Sequence, residues 1–171
     1  VGGAAPAAGP PGPRGVPAVT RVLVTGASGM LGGAVARALA ARGDEVTVMQ
    51  RRRSASGLRE VLGSVDDPAA VERAVAGQDA VVHLAAKVDV VGPAAEFERT
   101  NIEGTRLLLD AAQRAGVGRF VHPSSPSVAH AGASLVGEAA GAPDPGAAEG
   151  HYARTKAEAE LLVEARAAAG L

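Results

Sequence analysis

A chain of 171 residues with 17 Lys and Arg against 18 Asp and Glu, formal net charge -1, has the size of one domain and shows no electrostatic footprint for nucleic acid or an anionic membrane. The absence of cysteine excludes disulfides, thiolate metal sites and a cysteine nucleophile, and fits a reducing, cytoplasmic setting. Hydrophobic residues make up 47% but aromatics only 2%, so Ala, Val and Leu must build the core, and no apolar run reaches the roughly 18 residues a membrane span needs.

Residues 1–19 are rich in Ala, Gly and Pro and lack a charged start followed by an apolar block. They read as a disordered leader rather than a signal peptide, with the folded domain at 20–171. Arg21–Thr25 is a short β-rich run, predicted as a buried strand. A helix follows over Met30–Arg42, with Leu31, Val35, Ala38 and Leu39 at helical spacing and Gly43 at its end. Strands are expected at Glu45–Met49 and, more weakly, Arg59–Leu62. Asp67 as N-cap and Pro68 at the first position open a short helix over Pro68–Ala76. A strand at Asp79–Leu84 precedes one long amphipathic helix, Ala94–Ala115, which carries Phe97, Ile102, Leu108, Leu109 and Ala112 and stops at Gly116. A strand at Arg119–His122, a loop over 131–149 and a helix from His151 to Ala169 complete the chain. Strands alternating with helices imply an α/β fold, a doubly wound parallel sheet of Rossmann type.

The turn between the first strand and the first helix reads Gly26-Ala27-Ser28-Gly29-Met30-Leu31-Gly32. Gly26 suits a tight turn, Gly29 lets the backbone approach a diphosphate, and Gly32 lets helix and strand pack closely. The amides from Ser28 through Met30 and Leu31 then face the phosphates at a helix N-terminus. A glycine triplet alone is weak evidence; between a strand and a helix it marks a dinucleotide site. At the end of the second strand, where an acidic residue would favour NAD, the chain has Gln50 followed by Arg51, Arg52 and Arg53. A guanidinium pairs with a 2′-phosphate, so NADP is favoured, with Arg51 its contact and NAD left open.

Tyr152 is the only tyrosine, and Lys156 lies four residues on, on the same helical face. A free phenol ionises near pH 10, too high for a base at neutral pH, and a neighbouring ammonium stabilises the phenolate. The bland alternative is a surface Tyr beside a surface Lys; placement downstream of a phosphate turn favours the chemical reading. His83 reads as a satisfied core histidine. His122, His130 and His151 form no metal-ligand pattern, so no metal site is expected.

With these motifs the chain resembles the extended short-chain dehydrogenase/reductase superfamily, and within it the NAD-dependent epimerase/dehydratase and 3β-hydroxysteroid dehydrogenase branch. Val82-His83-Leu84-Ala85-Ala86 resembles the strand end that runs along the cofactor, so the resemblance places Leu84, Ala85 and Ala86 against it. Asn101-Ile102-Glu103-Gly104-Thr105 resembles the family's N-x-x-G-T segment, and its structural Asn, which supports a proton-relay water, falls on Asn101. Ser124-Ser125-Pro126-Ser127-Val128 resembles the segment after the fifth strand, and the family's catalytic Ser/Thr falls on Ser125. The resemblance implies that Tyr152 is the general acid/base, that Lys156 stabilises its phenolate and binds the nicotinamide ribose, and that Ser125 bonds the substrate oxygen. It also implies a homodimer, paired through the helices near Asn101 and Tyr152.

Three departures qualify these expectations. Ser64, beside Val65 at the adenine end, stands where the family usually has Asp. Pro123 sits next to the serines, where it should shorten the strand or shift Ser124 and Ser125. The family's sixth strand and C-terminal substrate lobe are not in this sequence. The expected function is an NAD(P)-dependent oxidoreductase or epimerase acting on a secondary alcohol or ketone. The competing readings are a non-catalytic dinucleotide-binding sensor and an inactive fragment.

Overall fold

The structure is a computed structural model, and it describes residues 20–54, 56–89, 91–129 and 141–170. The expected leader and His130 lie outside the described residues, as does most of the loop over 131–149. Five parallel strands form one sheet in the order β3-β2-β1-β4-β5: β1 Arg21–Thr25, β2 Glu45–Gln50, β3 Arg59–Leu62, β4 Ala80–His83 and β5 Arg119–Val121. The order reverses between β1 and β4, and such a switch point opens a crevice at the strand C-termini.

Side-chain alternation divides the core. Leu23, Met49 and Val81 face one side of the sheet, where α2 (Pro68–Val75) and α4 (Gly104–Ala115) cover them with Val71, Val75, Leu108 and Ala112. Val22, Val24, Val46 and Val48 face the other, against Ala36 of α1 (Met30–Ala41). Strands buried on both faces read as continuous apolar runs, as Val22-Leu23-Val24 of β1 does, while β2 buries Thr47 and Gln50 among its apolar residues. Small side chains let the helices approach closely, which is how a chain with 2% aromatics fills its interior.

Local chemistry sets the helix ends. Asp67 caps α2 by accepting from the Ala69 and Ala70 amides at 3.0 and 3.3 Å, with Pro68 at the first position. Gly116, at φ +69°, ends α4 in the left-handed region. The long helix expected over Ala94–Ala115 is corrected: it divides into α3 (Ala94–Phe97), a π-helical segment (Glu98–Glu103) and α4. Periodicity cannot register this, because one extra residue per turn leaves the apolar pattern legible on either side. The strand expected through His122 stops at Val121, two residues short of Pro123, which has no N–H to extend the ladder. The last helix, α5, spans Gly150–Ala168 and packs on the π-helical segment and α4. Among the described residues no helix is long and apolar enough to cross a membrane.

Candidate functional site

A cleft of about 760 Å³ opens at the C-terminal ends of the strands, across the switch point. Its wall takes Gly26, Ser28, Gly29, Met30, Leu31 and Gly32 from the first turn, and Arg51 from the end of β2. Ser64 and Val65 come from the segment after β3, and Leu84, Ala85 and Ala86 from the segment after β4. Tyr152 and Lys156 enter from α5 and Ser124 from the segment after β5, whereas Ser125 and Asn101 do not line the cleft.

Two glycines of the turn are dictated by the protein itself. Gly26 has φ +72°, and a Cβ there would lie 2.6 Å from the Ala85 nitrogen. A Cβ on Gly32 would lie 2.2 Å from the Gly26 carbonyl oxygen. Gly29 differs: its amide donates to the Gly26 carbonyl at 3.0 Å, and an added Cβ would meet only that oxygen, at 3.3 Å. Gly29 is also the N-cap of α1, and among the described residues no side chain caps that helix. The first-turn amides of α1 therefore border the cleft without a side-chain acceptor, which suits a diphosphate.

Beneath the turn, Thr25 accepts from the Leu84 and Ala85 amides, each at 3.1 Å, so its own hydrogen goes to His83 Nδ1 at 2.7 Å. His83 Nε2 then donates to Thr105 Oγ1 at 3.1 Å, and Thr105 donates to the Asn101 carbonyl at 2.6 Å. These bonds assign His83 as the neutral Nε2–H tautomer. Burial, then the nearby His122 and Lys156, keeps its pKa well below the usual histidine value. His83 is thus the satisfied core histidine expected from the sequence, fixing the β4 end against β1.

Asn101 lies in the π-helical segment, 2% exposed. Its Oδ1 accepts from the Lys87 amide at 2.7 Å, while Nδ2 donates to the Lys87 carbonyl at 3.1 Å and to Thr155 Oγ1 at 3.0 Å. Thr155 immediately precedes Lys156, so Asn101 ties the loop after β4 to the helix bearing the Tyr–Lys pair. Gly104 completes this packing: a Cβ there would lie 2.7 Å from Val65 Cγ2.

The Lys156 ammonium donates to the Pro123 carbonyl at 2.7 Å and meets His122 Nε2 at 2.9 Å. Burial pushes its pKa down to about 8, against a smaller opposing effect of Glu160. Burial, then Lys156, pushes His122 down to about 4. Tyr152 is half-buried, and its hydroxyl has no hydrogen-bond partner among the described residues. Ser124 donates to Glu160, while the Ser125 hydroxyl lies 2.8 Å from that of Ser127. At the cleft mouth Lys87 pairs with Asp89 at 2.6 Å and Glu96 at 3.0 Å.

Lys87, Thr155, His122 in its contact with Lys156, and Glu60 are specified by no motif in the sequence and emerge only in the fold. Glu60, on β3, accepts from Gln50 Nε2 at 2.8 Å and from the Ser54 amide at 2.9 Å, beside the arginine run. No acidic residue immediately follows β2 along the chain; this one arrives from the neighbouring strand. Arg51 makes no ion pair among the described residues.

A doubly wound sheet with an uncapped, glycine-cornered helix start at its switch point defines a dinucleotide-binding fold. More narrowly, residues 22–171 match the NAD dependent epimerase/dehydratase family, and the chain belongs to it. It is 38% identical over 150 residues to a 2-alkyl-3-oxoalkanoate reductase of Stenotrophomonas maltophilia, covering 84% of this chain and 45% of the relative. It is 37% identical over 154 residues to a 3-beta-hydroxysteroid dehydrogenase of Mycolicibacterium neoaurum, covering 84% of this chain and 42% of the relative. Among solved structures, a short-chain dehydrogenase/reductase superfamily protein of Agrobacterium tumefaciens with bound NAD superposes with TM-score 0.77 at 37% identity, covering 88% of this chain and 46% of that one. The UDP-glucose 4-epimerase of Thermus thermophilus in complex with NAD superposes with TM-score 0.75 at 28% identity, covering 88% and 51%. The chain spans about half the length of the curated relatives it matches.

Proposed function

We propose that this chain carries the cofactor site and acid/base pair of an NAD(P)-dependent oxidoreductase or epimerase acting on a secondary alcohol or ketone. One observation carries the reading: a single cleft is walled by the turn from Gly26 to Gly32 on one side and by Tyr152 and Lys156 on the other. A bound nicotinamide would supply or accept the hydride. Tyr152, whose hydroxyl has no hydrogen-bond partner among the described residues, gives or takes the proton on the substrate oxygen, and the Lys156 ammonium favours the phenolate electrostatically. Ser125, which the family resemblance implies as the partner of that oxygen, does not line the cleft here; it takes that role by releasing its Ser127 contact and turning toward the cleft. Asn101 acts from behind, by holding the base of α5.

Arg51, which lines the cleft and makes no ion pair among the described residues, supports NADP, because a guanidinium matches a 2′-phosphate. A second reading, NAD, draws on the NAD bound in the structural neighbours and on the Glu60 carboxylate behind the arginine run. Relatives named 2-alkyl-3-oxoalkanoate reductase and 3-beta-hydroxysteroid dehydrogenase support a ketone or secondary alcohol as substrate.

Fluorescence titration with NADPH and NADH, followed by turnover on a ketone panel, tests the reading. Tyr152→Phe should bind cofactor within about 2-fold of the parent and lose roughly 10²-fold or more in kcat, with Ser125→Ala losing at least 10-fold. Cofactor binding without turnover on any ketone, or a Tyr152→Phe variant at parental rate, would sink the catalytic role.

A further inference from the structure

Among the described residues no carboxylate forms an ion pair with Lys156. Of the three donors of its ammonium, one goes to the Pro123 carbonyl and one to His122 Nε2, both just past β5. The third has no protein partner among the described residues, on a side chain that lines the cleft. His122 in turn has no other polar contact: its Nδ1 is buried and unpartnered among the described residues. The ring is set 5.3 Å from that of His83, which Thr25 and Thr105 lock in place.

The geometry points to His122 as a positioning residue for Lys156: a neutral imidazole accepts from the ammonium and, with the Pro123 carbonyl, fixes Nζ on the cleft wall with one donor left for a ligand. Its consequence for turnover rests on the function proposed above; the contact itself does not. Among the described residues the titratable groups acting on Nζ are His122 after β5, His83 on β4 and Glu160 on α5 itself, while Tyr152 lines the same cleft. His122 ionises near pH 4, so it remains an acceptor throughout the neutral range. Pro123 thereby gains a role: its carbonyl, beyond the end of the ladder, is free to turn toward Nζ.

The chain contains two lysines, Lys87 and Lys156. Lysine labelled at Cε therefore gives two NMR signals, and Lys87 serves as internal reference. In the full chain, His122→Phe keeps ring volume but removes the acceptor, so a hydrogen bond favouring the charged form is lost and the Lys156 midpoint should fall by about 1 pH unit. His122→Gln places a non-titrating acceptor near the Nε2 position and should restore the midpoint, with Lys87 unmoved in both. A Lys156 midpoint in His122→Phe within about 0.2 pH unit of the parent, or above it, would overturn the assignment. Should His122→Phe not fold, His122→Asn, whose acceptor falls short of Lys156, is compared with His122→Gln; equal midpoints would overturn it as well. The readout needs no substrate or cofactor, so a failure of the oxidoreductase reading leaves it standing, and the reverse holds too.

Discussion

Gly26, Gly29 and Gly32 share one turn, yet the protein demands only two of them. A methyl group at Gly26 or Gly32 collides with backbone, and Gly26 also needs a positive φ. At Gly29 the same methyl needs a shift of only a few tenths of an ångström. Gly26→Ala and Gly32→Ala should therefore each lower stability by about 2 kcal/mol or more, from backbone displacement and, at Gly26, positive-φ strain. Gly29→Ala should keep its urea midpoint near the parent's but weaken cofactor binding at least 10-fold, because its methyl stands where the diphosphate would lie. Equal stability losses at all three positions, or parental cofactor affinity in Gly29→Ala, would contradict this division. At this scale the sequence was informative wherever one residue type has one physical use. The glycine spacing, the lone tyrosine with its lysine, and the cap at Asp67 were all readable. What each residue touches was not: Asn101 braces Lys87 and Thr155, and Glu60 reaches Gln50 from another strand, and both contacts exist only once the sheet has assembled.

The strand ends govern how the elements respond to pH. β4 ends in His83 and β5 leads into His122, and the fold keeps both neutral. A histidine whose pKa is depressed on folding binds fewer protons folded than unfolded, so its contribution to stability is lost as pH falls from 6.5 toward the folded value. For His122, with a folded pKa of about 4, the loss amounts to roughly 2–3 kcal/mol across that window, and His83 adds to it in the same direction. Lys156, depressed to about 8, adds a second rise in stability as pH climbs from 8 toward 10.5, where the unfolded lysine still carries its proton. Urea unfolding at a series of pH values should show both slopes. A flat midpoint between about pH 4.5 and 6.5 would mean that the histidines are not held neutral. The elements themselves were largely legible, with strand and helix ends falling within a residue or so of expectation. The π-helical segment was not. Its cause is tertiary: Asn101 turns inward to the Lys87 backbone, and Gly104 seats on Val65, neither of which leaves a periodic trace in the sequence.

For the whole molecule, five parallel strands in the order β3-β2-β1-β4-β5 bring the glycine turn, Arg51 just past β2 and α5 to one cleft, although these segments are far apart along the chain. The alternation of strands and helices made that topology predictable, since right-handed crossovers leave few alternatives. The closest test of its consequence is an amide chemical-shift map of the full chain titrated with NADP and, separately, with NAD. The largest perturbations should fall on Ser28 through Gly32 and on Leu84 through Ala86, with Arg51 perturbed more by NADP than by NAD. Saturating either dinucleotide without moving the amides of the turn would contradict it.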